Sequence, residues 1–466
     1  MAREIAKDAR GVAYQLLHAV FTDDAYANLL LPKLISRAGL DSRDAGLAQE
    51  LAFGTIRNAL FYDAAIEVAA GRDIADIDTE VRVLLELGAH QLLSMRVPSH
   101  AALSETVNLA KTVLRPNLAG FVNGVLRRIS ERSRDEWLEL LLAKRSDRRA
   151  KLALEYSHPE WVIRALEDSL RLDKREDELE DLLAVDNQAP LVNLVALPGL
   201  AEGSDLLDAG ATLGGVSPIG GELPSGDPAD LAGIRNGSLR VQDQGSQIAA
   251  LALLAAPVSP DSADSTSVTT EEWLDLCAGP GGKAALLAAE ARTRGAELVC
   301  NEVQPHRAKL VEQALSKVNR DVYVRTGDGR DLGDDAPDSF DRILLDAPCT
   351  GLGALRRRPE SRYRKQASDV ADLTVLQREL FASAFKGLRP GGVLAYVTCS
   401  PHPAETTGII DWAQKTYGAS LELLDATAVV RQISPAIQLP DGRKTVQLWP
   451  QRHSTDAMFI ALLRKN

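Results

Sequence analysis

The sequence predicts a multidomain protein in which an all-helical N-terminal region precedes an α/β domain with a mostly parallel sheet. The chain has 466 residues, which is too long for one ordinary hydrophobic core. In its first third, apolar residues recur at the three- and four-residue spacing of an amphipathic helix. From Glu271 onward, strand, glycine loop and helix alternate, which is typical of a parallel sheet covered by helices on both faces.

The N-terminal region, residues 1–140, is predicted to be helical throughout. Leu103, Val107 and Ala110 illustrate the spacing that places apolar side chains on one helical face. No run of alternating β-branched residues appears in this region, so we expect no strand there.

The second region, residues 150–235, mixes predicted elements and forms a small α+β domain in this interpretation. Its apolar patterns predict a helix at 161–170 and a strand at 190–197. The stretch 201–230 is rich in Gly, Pro, Ser and Asp, which predicts long turns or a surface insertion. A further polar stretch, 259–270, has no apolar period and is predicted to be a flexible loop.

The third region, residues 236–466, is predicted to hold a seven-stranded sheet. Five parallel strands are expected, at 273–276, 297–303, 322–325, 340–345 and 392–397. Two further segments, 445–448 and 458–463, are joined by a short connection and predict a terminal antiparallel hairpin.

Composition and charge limit the classes of function. The net charge of −12 argues against a broad nucleic-acid surface, so any basic surface must be confined. No apolar run is long enough for a bilayer, and the N-terminus lacks the apolar core of a secretory signal, so we expect a cytoplasmic protein without membrane contact. No interface signal stands out, and a monomer is expected.

The cysteines predict free thiols rather than a metal site or a disulfide framework. Cys277, Cys300, Cys349 and Cys399 lie far apart in the sequence, and none forms the C-x-x-C pair of a zinc site. Disulfides are rare in long chains without an export signal. We therefore expect no metal, and we interpret Cys277 and Cys300 as small packing residues.

Glycines and acids follow the first three strands of the predicted parallel sheet, where such sheets bind ligands. After the first strand, three of the four residues 279–282 are glycines, and glycine lets a backbone approach a ligand closely. Glu302 follows the second strand, at the position where an acid binds the ribose hydroxyls of an adenosine cofactor. Asp328 follows the third and could accept the adenine amino group. A plain turn and a solvated acid remain the alternatives.

Two cysteines follow the last two parallel strands. Asp346 and Cys349 come after the fourth strand, and Cys399 comes after the fifth. Downstream of Cys349, the run 356–365 holds six basic residues, one acid and Tyr363. This run predicts either a contact with a polyanion, with Tyr363 available for base stacking, or a solvated basic face.

The set Cys399, Asp346 and Cys349 fits methylation of carbon 5 of a cytosine. That carbon is not nucleophilic enough to take a methyl group unaided. A thiolate that adds to carbon 6 creates electron density at carbon 5, which then attacks a sulfonium methyl group. The reaction also needs a group at the N3/N4 edge of the ring and another for the elimination step.

These motifs resemble those of the RNA cytosine-5 methyltransferases of the NOL1/NOP2/Sun family. The matching stretches are LDLCAGPGGK (274–283), NEVQPHR (301–307), GDGRDL (327–332), LLDAPCTGLG (344–353), YVTCSPHPAE (396–405), VQDQGSQIAAL (241–251) and TDAMFIALL (455–463). A cysteine in the TCS motif together with one in the DAPC motif is peculiar to this family. The resemblance implies a Rossmann-like class I methyltransferase domain that uses S-adenosylmethionine.

The N-terminal region resembles a NusB-type helical RNA-binding domain. The matching stretches are RVLLELGAHQLLSM (82–95), VPSHAALSETVNLAK (97–111) and GFVNGVLRRI (120–129). A NusB-like domain fused to this catalytic domain occurs in bacterial enzymes that methylate small-subunit ribosomal RNA. The resemblance therefore implies 16S rRNA, naked or in an early small-subunit particle, as the partner, and an RNA-binding role for residues 1–140 and 150–235.

Carried over by position, the resemblance assigns the site residues. Cys399 would be the nucleophile, Cys349 would assist product release, and Asp346 would serve both substrate and cofactor. The remaining cofactor-binding residues would be Cys277, Ala278, Gly279, Pro280, Gly281, Gly282, Lys283, Glu302 and Asp328. Gly279 and Ala284 depart from the usual CAAPGGKT motif, but both are small and should preserve the loop.

Three other functions remain open at the level of the sequence. The same chemistry could act on transfer RNA or 23S rRNA. A non-catalytic RNA-binding or ribosome assembly factor could keep the fold without the reaction. A nucleotide-dependent oxidoreductase would also use a glycine loop after a strand.

Overall fold

The computed structural model describes residues 7–258 and 270–466, and most of the predicted loop at 259–270 lies outside them. The described residues divide into two units. The helical unit comprises residues 7–167, Asp177–Ala189 and Leu355–Gln366. The sheet unit comprises Asp168–Glu176, Pro190–Ala354 and Ala367–Asn466. The predicted three-part division at 1–140, 150–235 and 236–466 stays a prediction.

The helices are numbered in chain order. They are α1 (Ala9–Thr22), α2 (Ala27–Ala38), α3 (Ser42–Arg57), α4 (Ala59–Ala70), α5 (Thr79–Leu93), α6 (Ser99–Val113), α7 (Pro116–Ile129), α8 (Arg134–Leu142), α9 (Arg148–Glu155), α10 (Glu160–Leu172), α11 (Leu179–Asp186), α12 (Gly203–Asp208), α13 (Ala232–Asn236), α14 (Gln244–Ala255), α15 (Gly282–Arg294), α16 (Pro305–Leu315), α17 (Leu332–Asp335), α18 (Ser361–Arg364), α19 (Asp369–Gly387), α20 (Thr407–Tyr417), α21 (Ala426–Ile433) and α22 (Pro450–His453).

The strands follow the same numbering. They are β1 (Val192–Ala196), β2 (Thr212–Leu213), β3 (Gly220–Leu223), β4 (Leu239–Val241), β5 (Glu272–Asp275), β6 (Glu297–Glu302), β7 (Tyr323–Thr326), β8 (Phe340–Asp346), β9 (Leu388–Thr398), β10 (Leu421–Leu423), β11 (Val446–Gln447) and β12 (Phe459–Lys465).

The N-terminal region is helical, as predicted. Side-chain caps satisfy free amides where helices begin: the Asp8 carboxylate accepts a hydrogen bond from the backbone N–H of Gly11 at α1, and Ser133 with Glu136 forms a capping box at α8. Apolar stripes of α1, α3 and α5 meet in one core, where Leu16 and Leu51 are fully buried. Because helix propensity alone is weak, this shared core supplies most of the stability.

A small antiparallel sheet with the order β2-β3-β1-β4 lies in the sheet unit. The predicted strand at 190–197 is confirmed as β1. The prediction of long turns at 201–230 is wrong in part, because α12, β2 and β3 fall within that stretch. The small residue Gly221 explains the difference: a Cβ there would lie 3.3 Å from the Cβ of Ala211, so the glycine permits close packing rather than marking a turn.

The main sheet has the order β10-β12-β9-β8-β5-β6-β7, and β11 pairs with β12. Strands β7, β6, β5, β8 and β9 are parallel, whereas β12 runs antiparallel to β9, β10 and β11. The mostly parallel sheet and the terminal hairpin are therefore confirmed. Within the described residues the sheet has eight strands rather than the predicted seven, because the short strand β10 also pairs with β12. Alternate strand residues face two cores: Leu344 lies in one with α14 and α15, and Leu345 lies in the other with α19 and α20.

Candidate active site at the carboxyl ends of the parallel strands

The predicted site residues lie on loops at one edge of the main sheet. Because β7, β6, β5, β8 and β9 are parallel neighbours, their carboxyl ends meet at the same edge. The glycine loop follows β5, Glu302 ends β6, Asp328 follows β7, and the two cysteine loops follow β8 and β9. This is the edge at which open α/β sheets bind ligands.

The glycine loop joins β5 to α15 and requires glycine at one position, Gly281. Gly281 has φ 103°, and a Cβ there would lie 2.7 Å from the Cβ of Ala314. At Gly279, a Cβ would lie 2.1 Å from a carboxylate oxygen of Glu302. The departure from the usual motif at Gly279 therefore leaves room for that carboxylate. The predicted cofactor-binding stretch at this loop is Cys277, Ala278, Gly279, Pro280, Gly281, Gly282 and Lys283.

The Glu302 carboxylate is buried against this loop. It accepts hydrogen bonds from the backbone N–H groups of Gly279 (3.1 Å) and Gln304 (2.9 Å). The Arg307 guanidinium lies 3.7 Å from it and donates to the Gly279 carbonyl oxygen (2.6 Å). A carboxylate fixed this way beside a glycine loop has the chemistry needed to bind ribose hydroxyls, so the residues present fit an adenosine cofactor.

Asp328 already has a charged partner. Its carboxylate lies 2.6 Å from the Arg330 guanidinium and accepts the Arg330 backbone N–H at 2.9 Å. Arg330 also pairs with Glu379 at 3.0 Å. The hydrogen bonds from Arg330 hold the pKa of Asp328 below its ordinary value, although burial opposes them. Any ligand amino group would share this carboxylate with Arg330.

Lys283 and Asp346 form an ion pair between the glycine loop and the loop after β8. The ammonium of Lys283 lies 2.8 Å from a carboxylate oxygen of Asp346. Burial lowers the pKa of Lys283, but the Asp346 carboxylate and then the Cys399 sulfur in its ionised form outweigh that effect, so the pKa of Lys283 stands above its ordinary value. Lys283 therefore places a positive charge within the electrostatic reach of Cys399.

Asp275, which ends β5, is a site residue that the sequence did not reveal. It is 1% exposed, and neither carboxyl oxygen has a hydrogen bond of normal geometry. Burial, and then the Asp346 carboxylate, raise the pKa of Asp275 to about 8, against smaller opposing effects of Lys283 and the Cys277 amide. These effects favour the protonated form of Asp275 at neutral pH.

The two cysteines that follow β8 and β9 meet. The sulfur of Cys349 lies 3.5 Å from the sulfur of Cys399. The hydrogen bond with Cys399, and then burial, raise the pKa of Cys349 well above its ordinary value. Cys277 and Cys300 have no such neighbour: burial raises the pKa of both, and they pack in the cores, as the sequence predicted.

Glu405 is the second residue that sequence reasoning missed. Its buried carboxylate accepts hydrogen bonds from Thr350 and Ser400, the residues that directly follow Cys349 and Cys399. The adjacency of a hydroxyl residue to each cysteine was the available signal. No local sequence pattern, however, predicts that one glutamate accepts hydrogen bonds from both cysteine loops.

The basic run 356–365 forms the predicted surface only in part, since Arg358 is exposed whereas other members of the run are buried. It belongs to the helical unit, where Arg356 and Arg362 are buried. Arg362 donates to the Arg57 and Ser157 carbonyl oxygens. Tyr363 packs against the helical core and donates its hydroxyl to Ser157. Both interpretations of the run are wrong for Arg362 and Tyr363, because backbone carbonyl groups of the helical unit accept their hydrogen bonds.

Residues 7–258 and 270–466 contain neither a candidate metal site nor a candidate membrane span. No group of three or more His, Cys, Asp or Glu side chains there could hold a metal ion. Within the same residues, no helix is both long and apolar enough to cross a bilayer.

Two family models match the chain. The model of the 16S rRNA methyltransferase RsmB/F matches residues 266–464, which include the glycine loop and both cysteine loops. The model of the NusB family matches residues 7–131 in the helical unit.

The chain is similar to curated proteins over nearly its whole length. A Mycobacterium tuberculosis protein that carries the name methyltransferase Rv1407 is 45% identical over 98% of this chain and 96% of its own. The ribosomal RNA small subunit methyltransferase B of Pseudomonas putida is 33% identical over 98% of both chains. Among solved structures, that of PH0851 superposes with a TM-score of 0.79 at 20% identity, covering 98% of this chain and 99% of that chain, which supports the fold.

Proposed function

We propose that this chain, which belongs to the RsmB/F family of 16S rRNA methyltransferases, methylates carbon 5 of one cytosine in 16S rRNA. Methyl transfer to RNA is the property of the family. The target atom, the use of S-adenosylmethionine and a covalent route through Cys399 are our proposal. The observation that carries it is the pair of sulfurs, Cys349 and Cys399, 3.5 Å apart at the ligand-binding edge of the sheet.

Cys399 is the proposed nucleophile. Its thiolate adds to carbon 6 of the cytosine, and the displaced electron pair makes carbon 5 nucleophilic. The positive charge of Lys283, which interacts with Cys399 electrostatically, favours the thiolate over the thiol. S-adenosylmethionine, bound at the glycine loop, supplies the methyl group that carbon 5 takes.

Asp346 is the proposed group at the N4 edge of the ring. The ammonium of Lys283 lies 2.8 Å from a carboxylate oxygen of Asp346 and so fixes the position of that carboxylate. A carboxylate held in this way can accept a hydrogen bond from the exocyclic amino group of the cytosine. That bond would orient the ring with carbon 6 toward Cys399. Because the base must leave its stack to reach the site, single-stranded or flipped RNA is the expected substrate.

Cys349 is the proposed helper in product release. Its hydrogen bond with Cys399 is the largest cause of its raised pKa. In the covalent adduct, the Cys399 sulfur is bonded to carbon 6 and no longer carries charge. The pKa of Cys349 then falls, and its thiolate can take the carbon-5 proton while Cys399 is expelled.

The cofactor end of the site rests on the glycine loop, Glu302 and Asp328. Glu302 is proposed to accept the ribose hydroxyls, because its carboxylate is already fixed beside Gly279. Asp328 is proposed to accept the adenine amino group while it retains its bond to Arg330.

Transfer of labelled methyl groups to RNA tests this function. The protein is incubated with labelled S-adenosylmethionine and with 16S rRNA that lacks the modification, either naked or in small-subunit particles. Mass spectrometry of the digested product should find 5-methylcytidine at one site. Methylation of transfer RNA or 23S rRNA instead would overturn the substrate. Cofactor binding without methylation of any RNA would support the assembly-factor alternative.

A further inference from the structure

A buried carboxylate outside the proposed reaction lies between the two cysteine loops. Glu405 follows β9 in a 3₁₀ turn, Pro403–Glu405, and is 0% exposed. Burial of a carboxylate is costly unless hydrogen bonds compensate it. Among the described residues, Thr350, Gln377 and Ser400 donate hydrogen bonds to the Glu405 carboxylate.

The hydrogen bonds of Glu405 end next to both cysteines. One oxygen accepts the Thr350 backbone N–H at 2.8 Å and the Gln377 side-chain amide at 3.2 Å. The other oxygen accepts the hydroxyl of Thr350 at 2.5 Å and that of Ser400 at 2.6 Å. Thr350 directly follows Cys349, and Ser400 directly follows Cys399, so one carboxylate holds the neighbours of both sulfurs.

Gln377 extends the same network to the other side of Cys349. Its side-chain amide donates to the carbonyl oxygen of Pro348 (2.8 Å) as well as to Glu405. The Tyr396 hydroxyl donates to the Glu405 carbonyl oxygen at 2.8 Å and so fixes the backbone of the glutamate itself. Residues on both sides of Cys349 are thus tied to one anchored carboxylate.

We propose that Glu405 is a positioning residue that sets the separation of the Cys349 and Cys399 sulfurs by holding Thr350 and Ser400. This inference rests on the roles proposed above for the two cysteines. Attack and release use both sulfurs on one cytosine ring, so their separation governs both steps. Glu405 holds the loops through hydrogen bonds to Thr350 and Ser400, and its negative charge also contributes to the raised pKa of Cys349. Loss of that charge alone would favour the Cys349 thiolate and speed oxidation, so slower cross-linking reports a change of geometry.

The loops have a second connection, which makes the proposal testable. The Gly353 backbone N–H donates to the Cys399 carbonyl oxygen at 2.8 Å. This bond does not involve Glu405 and should keep the loops attached when the glutamate is replaced. Loss of Glu405 should therefore change the geometry of the sulfurs without detaching the loops.

The first test measures sulfur proximity without any RNA. Diamide oxidises two neighbouring thiols to a disulfide and is itself reduced to the hydrazine. Mass spectrometry of digested protein gives the rate at which the Cys349–Cys399 cross-link forms in the full chain. We expect the rate to fall about tenfold in Glu405→Ala and less in Glu405→Gln, whose amide can keep some of the bonds.

The matched control is Asp173→Asn. Asp173 is also a buried carboxylate of the sheet unit, and it accepts the Trp449 indole N–H at 2.6 Å. Its replacement should lower stability without changing the cross-linking rate. Equal rates in wild type and in folded Glu405→Ala would overturn the proposal.

The second test separates positioning from the reaction. In Glu405→Ala, the kcat of methyl transfer should fall about 100-fold while the KM for S-adenosylmethionine stays constant. If that variant does not fold, the pair Thr350→Val with Ser400→Ala removes both hydroxyl donors and should slow cross-linking. An unchanged cross-linking rate in the double variant would also overturn the proposal. If Glu405 controls cross-linking but wild type methylates no RNA, the positioning role stands and the proposed function falls.

Discussion

The two halves of the candidate site are built in different ways. In the cofactor half, residues 276–281 form one continuous loop whose backbone meets the carboxylate of Glu302. In the cysteine half, two loops whose cysteines are 50 residues apart in the sequence are joined by Glu405. The first half depends on local backbone geometry, and the second depends on side-chain hydrogen bonds between distant segments. Substitutions should therefore separate cofactor binding from the covalent chemistry.

The largest effect is expected for Cys399→Ala. Without the nucleophile, methyl transfer should fall about 10⁴-fold or more, while the affinity for S-adenosylmethionine stays unchanged. A filter-binding assay and a methyl-transfer assay on the same preparation measure both quantities. Cys300→Ala is the control, because Cys300 is buried in the core and should tolerate the change. Turnover by Cys399→Ala at the wild-type rate would refute its role.

The next largest effect is expected for Cys349→Ala. Cys399 can still attack carbon 6, but the elimination step loses its base, so turnover should fall about 100-fold. A protein–RNA adduct should accumulate and survive on a denaturing gel. The double variant Cys349→Ala with Cys399→Ala should form none. If the single variant forms no adduct under conditions in which wild type turns over, Cys349 has another role.

The sequence could predict where the loops of the cofactor half lie, whereas their binding of a cofactor stays a prediction. Alternating strands and loops place the glycine loop, Glu302 and both cysteines at one edge, because parallel strands share the direction of their carboxyl ends. The partners of the cysteines could not be predicted. Glu405 looks like any glutamate in a turn, and only the folded chain brings Thr350 and Ser400 to it.

The basic run illustrates the same limit in the helical unit. Its composition is that of a solvated or RNA-binding face, yet Arg362 is fully buried. The charge composition of a segment indicates only that its side chains would be exposed to solvent if the segment were isolated. Burial is decided by carbonyl groups such as those of Arg57 and Ser157, which lie far away in the sequence.

A smaller effect, confined to the cofactor half, is expected for Glu302→Gln. The amide keeps the shape but loses the charge that accepts two backbone N–H groups. The KM for S-adenosylmethionine should rise about tenfold, because hydrogen bonds to a charged group are the stronger ones. When Glu302→Gln is combined with Cys349→Ala, the amount of protein–RNA adduct should equal that of Cys349→Ala alone. Glu297→Gln, on the exposed opposite end of β6, is the control. A loss of adduct without a change in KM would assign Glu302 to the cysteine half instead.

The last expected effect is on stability rather than on activity: a pH-dependent gain for Asp275→Asn, which contrasts the two buried carboxyl groups of the site. Glu405 has four hydrogen-bond donors, whereas Asp275 has none of normal geometry and its pKa is raised to about 8. Between pH 4 and 8, roughly, the unfolded chain has lost this proton and the folded chain keeps it, so stability falls as the pH rises. The free energy of unfolding can fall by about 1.4 kcal/mol per pH unit.

The Asp275→Asn variant has no proton to lose at this position, so this pH-dependent fall disappears. Urea unfolding at pH 5 and pH 8 should therefore show the variant gaining stability over wild type as the pH rises. The exposed Asp321→Asn should follow wild type at both values. Parallel curves for Asp275→Asn and wild type would mean that the carboxyl is already ionised in the folded protein, and Asp275 would then need a cationic partner at the cofactor half.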